Sequence, residues 1–159
     1  MTDPLLNDEL DSVPDHDRFA TVDEITAALT RLAADHPGVA SLRRVGSSAL
    51  GEPILCLSVG DGPRHALVGA MPHPNEPIGG LTVIHLATRL CESAALREAT
   101  GHTWHIVGCL DPDGTRLNEG WSPGRSPKRT TAGTSTVRRV TSRSSGPSPS
   151  PTSAPTSTG

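Results

Sequence analysis

The composition of this chain breaks at one point, and the break decides where a core can be built. The 38 residues after Trp121 hold 10 Ser, 8 Thr and 6 Pro, and no Leu, Ile, Phe, His, Asp or Glu. A segment so poor in apolar side chains cannot bury enough surface to offset the conformational entropy of folding. Charge divides at the same place. Residues 1–121 carry all 17 acidic and 8 of the 14 basic residues, whereas 122–159 carry six basic residues and no acid. Any fold is therefore confined to the first 121 residues, enough for one small domain. Residues 122–159 read as a disordered basic Ser/Thr/Pro-rich tail.

Several classes of function are disfavoured at once. No apolar run approaches the roughly 20 residues of a membrane-spanning helix, and the opening MTDPLLNDELDSVPDHD is acidic where a secretory signal would be basic. These features predict a cytoplasmic protein with no membrane partner. Cys56, Cys91 and Cys109 are odd in number, widely spaced and set among apolar residues. They predict buried free thiols rather than a disulfide framework or metal cluster. Six positive charges over the tail, with no aromatic to stack on bases, make nucleic acid a poor partner.

The pattern within 1–121 alternates between helical and strand periods. Residues 1–18 read as a flexible N-terminus in which Pro4 and Pro14 interrupt any helix. Thr21 then caps a helix with Asp23 and Glu24 in its first turn. Ile25, Ala28, Leu29, Leu32 and Ala33 give it one apolar face, and it stops before His36-Pro37-Gly38. Short strands are expected over 41–45, 53–59 and 65–70, and a helix over 78–92 that 94–99 extend as far as the stop at Gly101. A further strand is expected over 103–110. Strand, loop, helix, strand and loop in that order form a crossover unit, which requires parallel strands and brings both loops to one sheet edge. Ligands gather at that edge in open α/β sheets.

The first of the two loops is Met71-Pro72-His73-Pro74-Asn75-Glu76-Pro77-Ile78-Gly79-Gly80. A neutral imidazole and a carboxylate are good zinc ligands, and catalytic zinc takes three protein donors plus water. His-x-x-Glu alone arises often by chance, as a surface His beside an exposed Glu. The second loop is Asp111-Pro112-Asp113-Gly114-Thr115-Arg116-Leu117-Asn118-Glu119-Gly120-Trp121, which follows an apolar strand as the first loop does.

Together these two loops, with the helix between them and Gly46–Ile54 ahead of them, resemble the zinc carboxypeptidase family of metallopeptidases, the carboxypeptidase A type, over about residues 20–121. The resemblance implies an α/β fold with a mixed or parallel sheet and flanking helices, truncated here to residues 19–121. It also implies zinc as cofactor and hydrolysis of a peptide substrate. His73 and Glu76 match the first two zinc ligands. Arg116 matches the arginine that polarises the scissile carbonyl, although Asp111 stands where the family has Asn, and Asn118 is placed to help hold the substrate. The family's third ligand, a His, and its catalytic Glu lie farther downstream. This chain has no His after His105 and no Glu after Glu119. His102 and His105 read as structural residues of a strand, though either is a fallback third ligand. His85 lies on a helix, and Glu119 is too early for the general base.

Reread one base earlier from Ser122, the codons admit Gly-Pro-Phe-Thr soon after Trp121 and an aromatic-rich continuation beyond it. The expectation is that residues 122–159 are translated out of frame and that the chain is an inactive fragment. Two alternatives accompany the carboxypeptidase reading. One is a zinc deacylase of the succinylglutamate desuccinylase or aspartoacylase type, acting on an acylated amino acid. The other is a non-catalytic protein whose basic tail binds acidic partners.

Overall fold

The computed structural model describes residues 4–121, so the expectations for 122–159 lie outside the described residues. Helix α1 (Pro4–Asp11) stands where a flexible segment was expected. Pro4 opens it, where a proline's missing N–H and fixed φ suit a helix start, and Pro14 falls after its end. It is anchored to the rest of the domain by Glu9, whose carboxylate accepts from Arg89 Nε at 2.6 Å and Nη2 at 3.2 Å. The hydrogen bond from Arg89 holds the Glu9 carboxyl below its ordinary pKa.

Helix α2 (Val22–Asp35) begins as its sequence dictates. The Thr21 hydroxyl accepts from the Glu24 amide at 3.2 Å, and the Glu24 carboxylate accepts from the Thr21 amide at 2.9 Å, a reciprocal capping box. Arg18 grips the same carboxylate at 2.7 and 2.8 Å. Arg18 first, and then the Thr21 amide, lower the Glu24 pKa to about 2.

Four strands form one mixed sheet: β1 (Ala40–Ser47), β2 (Pro53–Val59), β3 (Arg64–Gly69) and β4 (His102–Val107), in the order β1-β2-β4-β3. The first two pairings are antiparallel and the β4–β3 pairing is parallel, as the crossover order requires. β1 is longer than expected because a bulge at Val45 lets it continue to Ser47 opposite Pro53. β4 is shorter than expected, ending at Val107 rather than Leu110.

Between β3 and β4 runs α3 (Ile78–Glu92), as expected. Its expected extension is a separate helix, α4 (Ala94–Thr100), because Ser93 adopts an extended conformation and its hydroxyl accepts from the Leu96 amide at 3.1 Å. Gly101, left-handed at φ 60°, ends α4. The second polar loop is also partly helical. Asp111 caps α5 (Pro112–Asn118), its carboxylate accepting from Gly114 N at 3.0 Å with a proline in the first turn. Asp-Pro-Asp-Gly reads as turn chemistry, but the same cap and proline start a short helix.

Strand alternation sends Leu57, Val59, Val68, Trp104 and Ile106 to one face, where they pack with Ile25 and Leu29 of α2 and Val83, Ala87 and Leu90 of α3. Two glycines set how closely these layers approach. A Cβ on Gly80 of α3 would lie 2.7 Å from Ile25 Cδ1, and one on Gly108 would lie 2.7 Å from Ile25 Cγ2 and 2.8 Å from Leu29 Cδ1. All three cysteines are free and buried, as expected, and burial pushes the Cys91 and Cys109 thiol pKa values up. Among the described residues no helix is long and apolar enough to cross a membrane.

Two stability predictions follow from this packing. Gly108→Ala drives a methyl group into Ile25 and Leu29, with an expected loss of about 1–3 kcal/mol, read as a lower urea midpoint at unchanged m-value. Glu24 has a depressed pKa, so its stabilising effect is complete above its ordinary value of 4.5 and is lost as the pH falls toward 2. Acid titration of the unfolding midpoint is expected to show that decline, and Glu24→Gln to flatten it.

Candidate metal centre

The two polar segments meet because the parallel β3–β4 pairing continues past both strands. Leu110 N donates to Ala70 O at 2.9 Å and Asp111 N donates to Met71 O at 3.1 Å. Met71 is 1% exposed and takes a left-handed conformation, φ 55°. That conformation costs a residue with a Cβ on the order of 1–2 kcal/mol, and here it turns the chain out of the sheet directly before Pro72 and His73.

The loop that follows is closed by the Glu76 amide, which donates to His73 O at 3.1 Å. His73 and Glu76 are both exposed. Gly79 lets α3 start against the strand end, since a Cβ there would lie 3.2 Å from Met71 N. On the other side the loop touches α5, where a Cβ on Gly114 would strike Pro74 Cγ and Asp111 Oδ2. The segments carrying His73 and Arg116 are therefore neighbours at the carboxyl edge of the parallel pair.

Donor chemistry here suits zinc, but the donor count does not complete a site. His73 and Glu76 give one imidazole and one carboxylate, whereas zinc sites use three or four protein donors. Among the described residues no three of His, Cys, Asp and Glu gather as a metal-binding group. The fallback ligands are misplaced. His102 opens β4 opposite Arg64, about 16 Å along the strand from Val107 at 3.3 Å per residue. His105 stands opposite Leu67 in mid-strand, with both ring nitrogens engaged by Ser58 and His65. Glu119 is committed elsewhere, accepting from the Val22 amide at 2.8 Å at the start of α2.

Arg116 is also engaged. Its Nη2 donates to Asp23 Oδ1 at 2.7 Å and to Glu52 Oε2 at 2.9 Å. Its Nε lies 2.9 Å from Glu52 Oε1, but is too far out of line for a hydrogen bond and has no other partner. Asp23 and then Glu52 raise its pKa, so it stays charged. Three residues upstream of the arginine, Asp113 holds the β1–β2 turn: Oδ1 accepts from the Ser48 hydroxyl at 2.7 Å and Oδ2 from the Leu50 amide at 3.0 Å. Sequence reasoning missed Asp23, Glu52, Ser48 and Asp113 as partners. The only available signal was the Gly46–Ile54 segment, whose link to α5 is a tertiary contact with no sequence periodicity. Asn118 closes α5.

The zinc carboxypeptidase family model matches residues 25–155. The chain belongs to the zinc carboxypeptidase family. The match continues past Trp121, where the residue-by-residue likeness ended. Among solved structures the chain is similar to carboxypeptidase A from Helicoverpa armigera, at 20% identity and TM-score 0.58, covering 64% of this chain and 27% of that one. It is similar to bovine thrombin-activatable fibrinolysis inhibitor at 15% identity and TM-score 0.57, covering 63% and 33%. A metallo-carboxypeptidase from Burkholderia cenocepacia matches at 26% identity and TM-score 0.52, covering 59% and 27%. The chain thus spans a third or less of the length of these three proteins. No curated protein matches it in sequence.

The contacts of α5 make Asp113 a structural residue of this edge. Asp113→Ala is expected to cost about 1–3 kcal/mol, because it leaves Ser48 and the Leu50 amide without their acceptor. Chemical denaturation measures the loss, and faster amide exchange at Leu50 would localise it.

Proposed function

We propose that this chain carries the first part of a zinc-dependent metallocarboxypeptidase site, with His73 and Glu76 as two metal donors and peptides as substrates. The observation that supports this most strongly is the position of the pair. A zinc-competent imidazole and carboxylate sit on the loop leaving a parallel strand, against the helix that carries Arg116, in a chain of the zinc carboxypeptidase family.

His73 and Glu76 would be two of the donors to a zinc ion, which when bound would supply Lewis acidity toward a water and the scissile carbonyl. Arg116 supplies a permanent positive charge beside it, suited to steadying the carbonyl oxygen as negative charge develops. To do so the guanidinium must exchange a partner. Asp23, with 78% of its side chain exposed, gives way more readily than Glu52 at 30%. Glu52 then keeps the arginine oriented while its Nη2 turns to substrate. Asn118, at the end of the same helix, is assigned in this reading to hold the substrate through its amide.

Two donors hold zinc weakly, so this chain alone is expected to turn over no peptide, and the out-of-frame reading of 122–159 supplies a reason. Sequencing the DNA across the Trp121 codon decides that reading; an intact frame with no aromatic-rich alternative overturns it. The free buried thiols fit a reducing compartment, which favours the cytoplasm.

Zinc titration of the purified chain beside a His73→Ala, Glu76→Ala variant tests the metal assignment. Weak binding that the variant lowers at least about tenfold, as loss of a donor predicts, supports it. Equal binding by both chains rejects it.

A further inference from the structure

A second group of metal-ligating side chains lies on the sheet face opposite α2 and α3, away from the His73 loop. His105 of β4 stands in register with Ser58 of β2, and the Ser58 hydroxyl lies 2.9 Å from His105 Nδ1. His105 Nε2 in turn lies 3.0 Å from Nδ1 of His65 on β3. The two imidazole planes are within 8° of each other, with centroids 5.3 Å apart. With nitrogens 3.0 Å apart, that separation leaves just the two ring radii between them. The rings therefore meet edge to edge in one plane, with their nitrogen lone-pair axes directed at each other, and are not stacked face on face.

We propose that His65 and His105 form a two-imidazole binding site for a late first-row divalent cation, distinct from the His73 and Glu76 site. Two ligands about 2.0–2.1 Å from one metal stand about 2.9 Å apart at a square-planar angle and about 3.4 Å apart at a tetrahedral one. The observed 3.0 Å spans the first case almost without movement of the strands. The lone pairs now meet head-on, so each ring must turn by about 45° for both to converge on one metal at a right angle; His65, which is exposed, has room to turn. The parallel pairing of β3 with β4 fixes the two Cα positions, so little order remains to be imposed on binding.

Proton placement is consistent with this site. For His105 Nε2 to bind metal, its single ring proton must sit on Nδ1, where the Ser58 oxygen is positioned to accept it. Metal-bound imidazoles commonly carry such an outer hydrogen bond, which fixes the tautomer. His65 correspondingly moves its proton to Nε2 and offers Nδ1 to the metal, so binding needs no net proton release from neutral rings. Thr103, the register partner of His65, is occupied in donating to Gly62 O at 2.8 Å. Water completes the coordination, and the preference for square-planar nitrogen ligation and the general affinity order both favour Cu²⁺ over Ni²⁺ and Zn²⁺.

The experiment uses the full chain carrying His73→Ala and Glu76→Ala, which removes the other candidate site. Titration with Cu²⁺ alone is followed by calorimetry and by electron paramagnetic resonance, where nitrogen hyperfine structure counts the imidazoles. One equivalent bound with two nitrogens is expected. His65→Gln and His105→Gln are each expected to abolish the two-nitrogen signal, while Ser58→Ala weakens binding by about tenfold through loss of the outer hydrogen bond. Matched circular dichroism spectra confirm that the exposed His65 variant is folded. A two-nitrogen signal that survives His65→Gln, or no Cu²⁺ binding in the starting chain, overturns the proposal.

Discussion

The hydrogen-bond ladder between β3 and β4 does not stop where the strands stop, and the edge that carries the His73 loop and the Arg116 helix depends on that continuation. Two further bonds, Leu110 N to Ala70 O and Asp111 N to Met71 O, tie the exits of both strands together. Backbone groups at that depth need partners, and each exit supplies the other's. Met71 is thereby held in its left-handed conformation and Asp111 at the position from which it caps α5. The His73 loop and the Arg116 helix leave the sheet side by side because their two starting points are hydrogen-bonded.

What holds the ladder in place is the helix layer, and that layer depends on missing side chains. Ile25 sits between Gly80 and Gly108, so α2 touches α3 and the end of β4 at distances that no Cβ would permit. Gly114 does the same for Pro74 at the loop edge. Such contacts act through shape and leave little slack, because packed interiors deform poorly. Cores of this kind pass strain from the helix layer to the loops, so a substitution at Gly108 is felt at Leu110 and Asp111, the residues that follow it and tie the loops together.

The legible parts of the fold were those with a local cause. Thr21 and Glu24 announce a capped helix, the apolar spacing over 78–92 announces another, and the strand–helix–strand order dictates parallel pairing. Elements whose cause is tertiary were misread. α1 forms with Arg89 eighty residues away as its anchor, and Pro4 was taken as a helix breaker when it stands where proline starts helices. Asp111 to Asn118 has the composition of a loop, yet its side-chain cap and its bonds to the β1–β2 turn make it a helix. At the site, the pair His73 and Glu76 was visible as spacing, whereas the carboxylates that hold Arg116 were not, because Asp23, Glu52 and Arg116 come from three separate elements.

Arg116 gathers these threads into one tension. A guanidinium that serves a reaction needs a free donor, while one that holds a fold needs none, and here Asp23 and Glu52 claim it from α2 and the start of β2. The two partners differ in what they lose on release. Glu52 is largely sheltered, so breaking its pair would leave a partly buried carboxylate uncompensated. Asp23 is mostly in water, where an ion pair contributes little. The arrangement therefore orients the arginine firmly from one side and weakly from the other. A side chain so placed can stabilise the folded edge and still turn one nitrogen toward an anionic oxygen, while Asp111, which caps α5, and Asp113, which ties α5 to the β1–β2 turn, fix the backbone from which it turns.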